Sequence, residues 1–259
     1  MRAAERGLQG RVGDAVVIVT GGANGIGRAY CETLAEAGGH VVIADRDADG
    51  AEALAALLNE RASGDVSLAV ETDVTSPTST ERLAERVLSR FGRVDVLVNN
   101  AGSYPHVPFD SIDYDEWRRV LAVNLDSVFL CTRAVIGPMR DAGRGKIVNV
   151  ATNLVWVGLD GMAHYVAAKA GVVGLTRALA REFGPSGITV NAIAPGAVVP
   201  EAQLSDAGRA RVDEIVRYQC VKRGLSADDL TGTLLFLCSG ESDFVSGQVF
   251  TVDGGLTMH

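Results

Sequence analysis

Seven short apolar runs, rich in valine and isoleucine, recur along the chain between longer segments of helix-like composition: 15–19, 40–44, 67–72, 94–98, 146–150, 189–193 and 248–252. None shows the strict apolar–polar alternation of a strand with one face in water. Near-continuous hydrophobicity over so few residues suits a parallel strand covered on both faces. The intervening segments, such as 51–62, 80–91, 115–139, 163–183 and 227–239, are long enough to be the covering helices. Strand and helix therefore alternate throughout, and the fold class expected is α/β: a Rossmann-type doubly wound sheet of seven parallel strands in one domain.

Two segments break the rhythm. Residues 1–14 read as an N-terminal tail, loose or laid over the surface, which leaves 15–259 as a single domain. Residues from about 197 to 224 follow the sixth strand on the side where open α/β sheets bind ligands, and so read as a lid over a substrate pocket.

Composition narrows the function classes. A chain of 259 residues that is 47% hydrophobic can bury a large core. Its net charge of -8 offers no footprint for nucleic acid. No window approaches the roughly 20 apolar residues of a membrane span, and no signal-peptide core is found, so a cytoplasmic protein is expected. Cys31, Cys131, Cys220 and Cys238 are widely spaced, which argues against a metal site and a disulfide framework; they read as small buried apolar groups, Cys220 being the possible exception.

The first strand runs into a glycine-rich turn followed by a helix. Gly21, Gly25 and Gly27 permit a tight turn, close backbone approach to a pyrophosphate and close helix packing, while the helix N-terminus offers free N–H groups to an anion. Asn24 and Ile26 belong to the same cofactor-contacting stretch. Asp45 closes the second strand 18 residues beyond Gly27. A carboxylate there accepts hydrogen bonds from ribose hydroxyls and repels a 2′-phosphate, which favours NAD over NADP; the adjacent Arg46 weakens that discrimination.

Tyr165 and Lys169 stand four residues apart, about one helical turn, and so project from one face. An ammonium within hydrogen-bonding reach favours the phenolate over the phenol, which would make the pair a general base.

These residues resemble the short-chain dehydrogenase/reductase family, together with Asp73 and Val74 after the third strand, the run 99–102 after the fourth, Asn124, and Pro195–Gly196 after the sixth. The resemblance extends from about Val12 to the C-terminus. It implies that Asp73 and Val74 flank the adenine and that Asn100, Ala101 and Gly102 lie in the floor beneath the cofactor, continuous with Asn99. It further implies that Asn124 holds a relay water for Lys169, and that Lys169 also binds the nicotinamide ribose. A homotetramer is the usual family assembly. Two positions depart from the family pattern. Thr152 stands thirteen residues before Tyr165, where a serine is usual, and keeps the hydroxyl; Asn153 beside it is the alternative bearer of that duty. Pro200 replaces a threonine that would hold the nicotinamide amide, so the amide must lean on backbone near Val198.

By the same resemblance, the family activity is hydride transfer between a nicotinamide cofactor and a carbinol or carbonyl carbon. Tyr104, Asn153 and Trp156 follow strands four and five and are expected to border the substrate pocket. Their character favours an uncharged aromatic or alicyclic secondary alcohol. The loops look most like those of NAD-dependent 1-arylethanol and pyridoxal-type dehydrogenases. The alternatives are a 3-oxoacyl thioester reductase and a non-catalytic NAD-binding protein. His106 and His164 read as surface or second-layer groups.

Overall fold

A computed structural model describes residues 10–198 and 206–258. Most of the expected tail, the segment 199–205 of the expected lid, and Pro200 with it, lie outside the described residues. The described end of the tail folds back onto the core, with Val12 buried in it and Asp14 paired to Arg93 at 3.2 Å.

The seven strands form one parallel sheet in the order β3-β2-β1-β4-β5-β6-β7, from β1 (Val16–Thr20), β2 (His40–Asp45), β3 (Ser67–Glu71), β4 (Val96–Asn99), β5 (Gly145–Val150), β6 (Ile188–Pro195) and β7 (Val249–Val252). The order reverses between β1 and β4. Ligand crevices of open sheets form where neighbouring strands send their connections in opposite directions, so this reversal fixes the site.

Helices α1 (Gly25–Glu36), α2 (Ala48–Ala62), α3 (Pro77–Phe91), α4 (Tyr114–Leu121), α5 (Ser127–Asp141), α6 (Leu154–Val157), α7 (Ala163–Phe183), α8 (Asp206–Tyr218) and α9 (Asp228–Cys238) complete the described residues. Local chemistry sets their starts. Asp47 accepts the Gly50 N–H at 3.0 Å to cap α2, and Ser76 with Pro77 at the first helical position opens α3. One core cluster joins α1, α2 and α9 to the sheet, and another packs α3, α5 and α7 on the opposite face. As expected, Cys31, Cys131 and Cys238 are buried and Cys220 is exposed.

Two expectations change here. The single helix expected over 115–139 is two helices joined by a π turn at Ala122–Asp126. The side-chain amide of Asn124 donates to the Val120 carbonyl four residues back at 3.0 Å, a carbonyl that an α-helical turn would pair with the Asn124 backbone. Tyr114–Asp141 is also long and apolar enough by composition to cross a membrane, contrary to the sequence reading. It packs Val128, Cys131, Val135 and Met139 against the sheet, as a core helix does.

Candidate active site

The glycine turn is defined by backbone proximity. A Cβ on Gly27 would stand 1.9 Å from the Gly21 carbonyl oxygen, and one on Gly21, at φ +64, would stand 2.9 Å from the Cα of Ala101. Gly25, at φ +55, faces open space. Gly22, which motif spacing does not single out, is also tightly surrounded, though less so than Gly27: its Cβ would meet the Val19 carbonyl, the Cys31 sulfur and Ile43 at 3.0–3.1 Å. Asp45 braces the turn, accepting the Ala23 N–H and the Asp47 N–H at 3.0 Å each, and Asn24 donates to Asp47 at 3.3 Å. Arg46 is exposed. Asp73, beside buried Val74, accepts hydrogen bonds from the Thr75 amide and hydroxyl; these, with a smaller pull from Arg46, hold its carboxyl below the ordinary carboxylate range.

From this turn the run after β4 leads toward the expected catalytic residues. The Asn100 side chain donates to the carbonyls of Thr20 and Gly21 at 2.9 and 3.0 Å, while the Thr20 hydroxyl accepts the Asn100 and Ala101 N–H groups. Asn100 therefore knits the cradle rather than facing a ligand with its amide. Two residues on, a Cβ at Gly102 would stand 2.9 Å from Asn124 Oδ1 and 3.7 Å from Lys169 Nζ. Below this floor lies a buried polar chain that sequence reasoning missed. Asn99 donates to Asn149 on β5 at 2.9 Å, and Asn149 donates to Thr176 on α7 at 2.9 Å. Strongly polar side chains inside otherwise apolar strands were the available signal.

Tyr165 and Lys169 lie on one face of α7, with the Lys169 nitrogen 5.9 Å from the centre of the Tyr165 ring. Lys169 is 3% exposed and donates to the Val150 carbonyl at 2.7 Å; burial pulls its amine down to about 8. Among the described residues no hydrogen bond joins the Lys169 ammonium to the Tyr165 phenol, the contact that direct acidification would use. Burial pushes Tyr165 up to about 12, with the Tyr104 phenol adding to the rise; only its hydrogen bond with Thr152 acts the other way. Desolvation dominates because the ammonium is directed at a main-chain oxygen instead of the phenol.

Thr152 is buried, and its hydroxyl also accepts the Leu154 N–H at 3.3 Å. Asn153 is placed differently from expectation. Its side chain is buried and donates to Asp253 at 3.1 Å, so it does not border the pocket. Asp253 in turn accepts from the amides of Gly255, Leu256 and Thr257 and from the Thr257 hydroxyl. This buried carboxylate is a further residue that the sequence reading did not identify. Asn124 likewise commits its amide to backbone, donating to Ser103 O at 2.8 Å and accepting from Ser103 N at 3.3 Å. With Val120 O taken as well, neither amide hydrogen is left for a relay water.

Tyr104 is 73% exposed and meets Tyr165 edge-on, ring centres 6.4 Å apart. Trp156 is half-buried against the small cluster of Ala151, Val173, Ala192 and Ala194. Pro195 ends β6 with its carbonyl accepting the Asn153 N–H at 3.0 Å, Gly196 abuts Asp253, and Val198 forms an isolated bridge with Leu225.

The cradle admits no side chain at Gly21 and Gly27, and it leads directly to a buried amine and a half-buried phenol. These residues fit a nicotinamide dinucleotide laid across the switch point. A family model described as Enoyl-(Acyl carrier protein) reductase matches residues 21–257. The chain is 38% identical to the (2S)-[(R)-hydroxy(phenyl)methyl]succinyl-CoA dehydrogenase subunit BbsD of Thauera aromatica, over 97% of this chain and 98% of the relative. It is 40% identical to a cis-4-hydroxycyclohexanecarboxylate dehydrogenase of Sinomonas cyclohexanicum, covering 93% and 96%. A candidate short-chain alcohol dehydrogenase of Sinorhizobium meliloti 1021 superposes with a TM-score of 0.88 at 31% identity, covering 93% of this chain and 96% of that one. With fold, motifs and relatives in agreement, the chain belongs to the short-chain dehydrogenase/reductase family and is an oxidoreductase acting on CH–OH groups.

Proposed function

We propose that the protein interconverts a secondary alcohol and its ketone using NAD(H), on an uncharged aromatic or alicyclic substrate. The observation that carries this reading is the continuity of the run 99–102, braced to the glycine turn at Asn100 and bordered at Gly102 by Asn124 and Lys169. It joins a dinucleotide cradle to a proton-transfer pair without a break.

Bound nicotinamide supplies hydride exchange at its C4 and, when oxidised, a positive charge. The residues of the chain do the rest. In alcohol oxidation Tyr165 accepts the hydroxyl proton, and in carbonyl reduction it donates one. Burial favours the protonated phenol, which suits donation in carbonyl reduction, and positive charge beside it favours the phenolate that alcohol oxidation uses. Thr152 orients the substrate oxygen. Lys169, buried on the same face, holds the sugar side of the cofactor and biases the phenol electrostatically when protonated. Asn124 fixes the Ser103 backbone, and with it the loop carrying Tyr104.

The NAD preference rests on Asp45, whose carboxylate closes β2 beside the glycine turn and would meet a 2′-phosphate unfavourably. The substrate class rests on two features. Tyr104 presents its ring to Tyr165, and two cations within the expected lid are already engaged: Lys222 donates to the Arg217 carbonyl at 2.8 Å and Arg223 to Asp229 at 2.5–2.6 Å. The relatives' names include a hydroxy(phenyl)methyl succinyl-CoA and a hydroxycyclohexanecarboxylate, ring-bearing carbinols that also carry charged groups, so they support the ring and the alcohol and not the absence of charge. A cytoplasmic homotetramer is the proposed working form. A groove of about 770 Å³ supports the assembly, lined by Leu125, Leu130, Gly171, Leu175 and half-exposed Phe129 on α5, α7 and the π turn between α4 and α5.

The test is NADH formation from a panel of aryl carbinols, cyclohexanols, pyridoxal, polyols and 3-hydroxyacyl thioesters, each with NAD and NADP. Turnover of ring-bearing secondary alcohols with NAD supports the reading. Preference for NADP removes the cofactor assignment, thioester turnover replaces the substrate class, and NADH binding without turnover of any compound favours a non-catalytic role.

A further inference from the structure

The residue preceding Tyr165 has an unusual position. His164 is fully buried (0% exposed), and its Nδ1 accepts the backbone N–H of Tyr165 at 2.9 Å. That N–H lies in the first turn of α7, where no intrahelical carbonyl is available to it. A ring nitrogen that accepts carries no proton, so the neutral imidazole must hold its hydrogen on Nε2. Nε2 faces Glu116 Oε1 across 3.6 Å, longer than a hydrogen bond, and both atoms are buried with no hydrogen-bond partner. The other oxygen of Glu116 pairs with Arg119. Glu116 belongs to α4, the helix that runs through the π turn to Asn124; His164 opens α7, which carries Tyr165 and Lys169.

We propose that His164 is a positioning residue for proton transfer: facing Glu116, it fixes the backbone of Tyr165 and so sets the phenol relative to Thr152 and to the α4 side of the pocket. The inference rests on Tyr165 being the proton-transferring group. His164 touches neither cofactor nor substrate in this role. Its effect passes through the Tyr165 main chain, where a displacement approaching 1 Å costs about 100-fold in rate. An ordinary core histidine would instead contribute packing alone, with no demand on which nitrogen carries the proton.

Two measurements test this. The first is a long-range ¹H–¹⁵N spectrum of the intact protein at about pH 8, with His164 assigned among the four histidines by comparison with His164→Asn. The Nε2–H tautomer is expected, and an Nδ1–H tautomer overturns the proposal. The second compares His164→Phe with His164→Asn, whose amide oxygen can take the place of Nδ1, using 1-phenylethanol and NAD as probes and NADH fluorescence for cofactor binding. The phenylalanine variant is expected to lose roughly 10- to 100-fold in kcat while KM and NADH affinity stay within about twofold, and asparagine to restore most of the loss. Wild-type kcat in the phenylalanine variant, or no recovery with asparagine, overturns the proposal. Tyr165→Phe separates this inference from the reading beneath it. Retained turnover there defeats Tyr165 as the proton carrier, whereas an inactive Tyr165→Phe beside an unimpaired His164→Phe defeats only the positioning role.

Discussion

The two halves of the crevice are built from different materials. The dinucleotide half is a backbone surface: Gly21 and Gly27 leave no room for a side chain, and Asn100 and Asp45 serve mainly to hold main-chain atoms in place. The carbinol half is a set of side chains, buried Thr152 and Lys169 with half-buried Tyr165, and desolvation displaces the proton affinities of Tyr165 and Lys169. One half recognises by shape and the other by chemistry that burial makes responsive. Substitutions should therefore fail in different ways on the two sides.

The largest effect is expected at the backbone side. Gly27→Ala places a methyl 1.9 Å from a carbonyl oxygen that cannot swing away, so stability should fall by about 3 kcal/mol and NADH fluorescence titration should show binding largely lost. Near-normal NADH affinity in that variant would break the contrast. Asp253→Asn comes next. It converts an acceptor of hydrogen bonds from Asn153, three amides and a hydroxyl into a group that must also donate, and should cost about 2–3 kcal/mol in urea unfolding. Its kcat should fall as well, because Asn153 adjoins Thr152.

Lys169→Met should reveal what the buried amine costs. With the folded value lowered to about 8 from 10.5, the unfolded chain holds a proton that the folded chain lacks between those values, so this group's contribution to stability rises with pH across that window. Below it the burial cost is fully present. The methionine variant should thus be more stable than wild type by about 1–3 kcal/mol at pH 7, with the gain shrinking from pH 8 to 10.5, while turnover collapses. Thermal melts across that range check the sign. The smallest effect is expected from Asp45→Ala, which should narrow the preference for NAD over NADP by about tenfold, or about 1.4 kcal/mol, read from the ratio of kcat/KM values.

This contrast also explains what was legible in the sequence. Strand runs, the glycine turn and the spacing of Tyr165 and Lys169 are local patterns; strand–helix alternation makes the sheet parallel but leaves more than one strand order open. The partners of polar side chains depend on tertiary packing and were not legible. Nothing near Asn153 points to Asp253, a hundred residues away, and nothing near His164 points to Glu116 on another helix. Residue type also did not reveal the partners of Asn124, whose amide bonds the Val120 carbonyl at the π turn and holds Ser103. The partner of Lys169 was hidden for a related reason. Spacing places the ammonium on the same face but does not reveal the Val150 carbonyl that draws it away.

The central claim is that Tyr165 carries the proton while the glycine-lined half binds the dinucleotide independently. The direct test is Tyr165→Phe, measured for turnover of a secondary alcohol identified in the substrate panel and for NADH affinity by fluorescence. The account predicts a fall in kcat of about 1,000-fold or more with NADH affinity within about twofold of wild type. Turnover near the wild-type rate would contradict it.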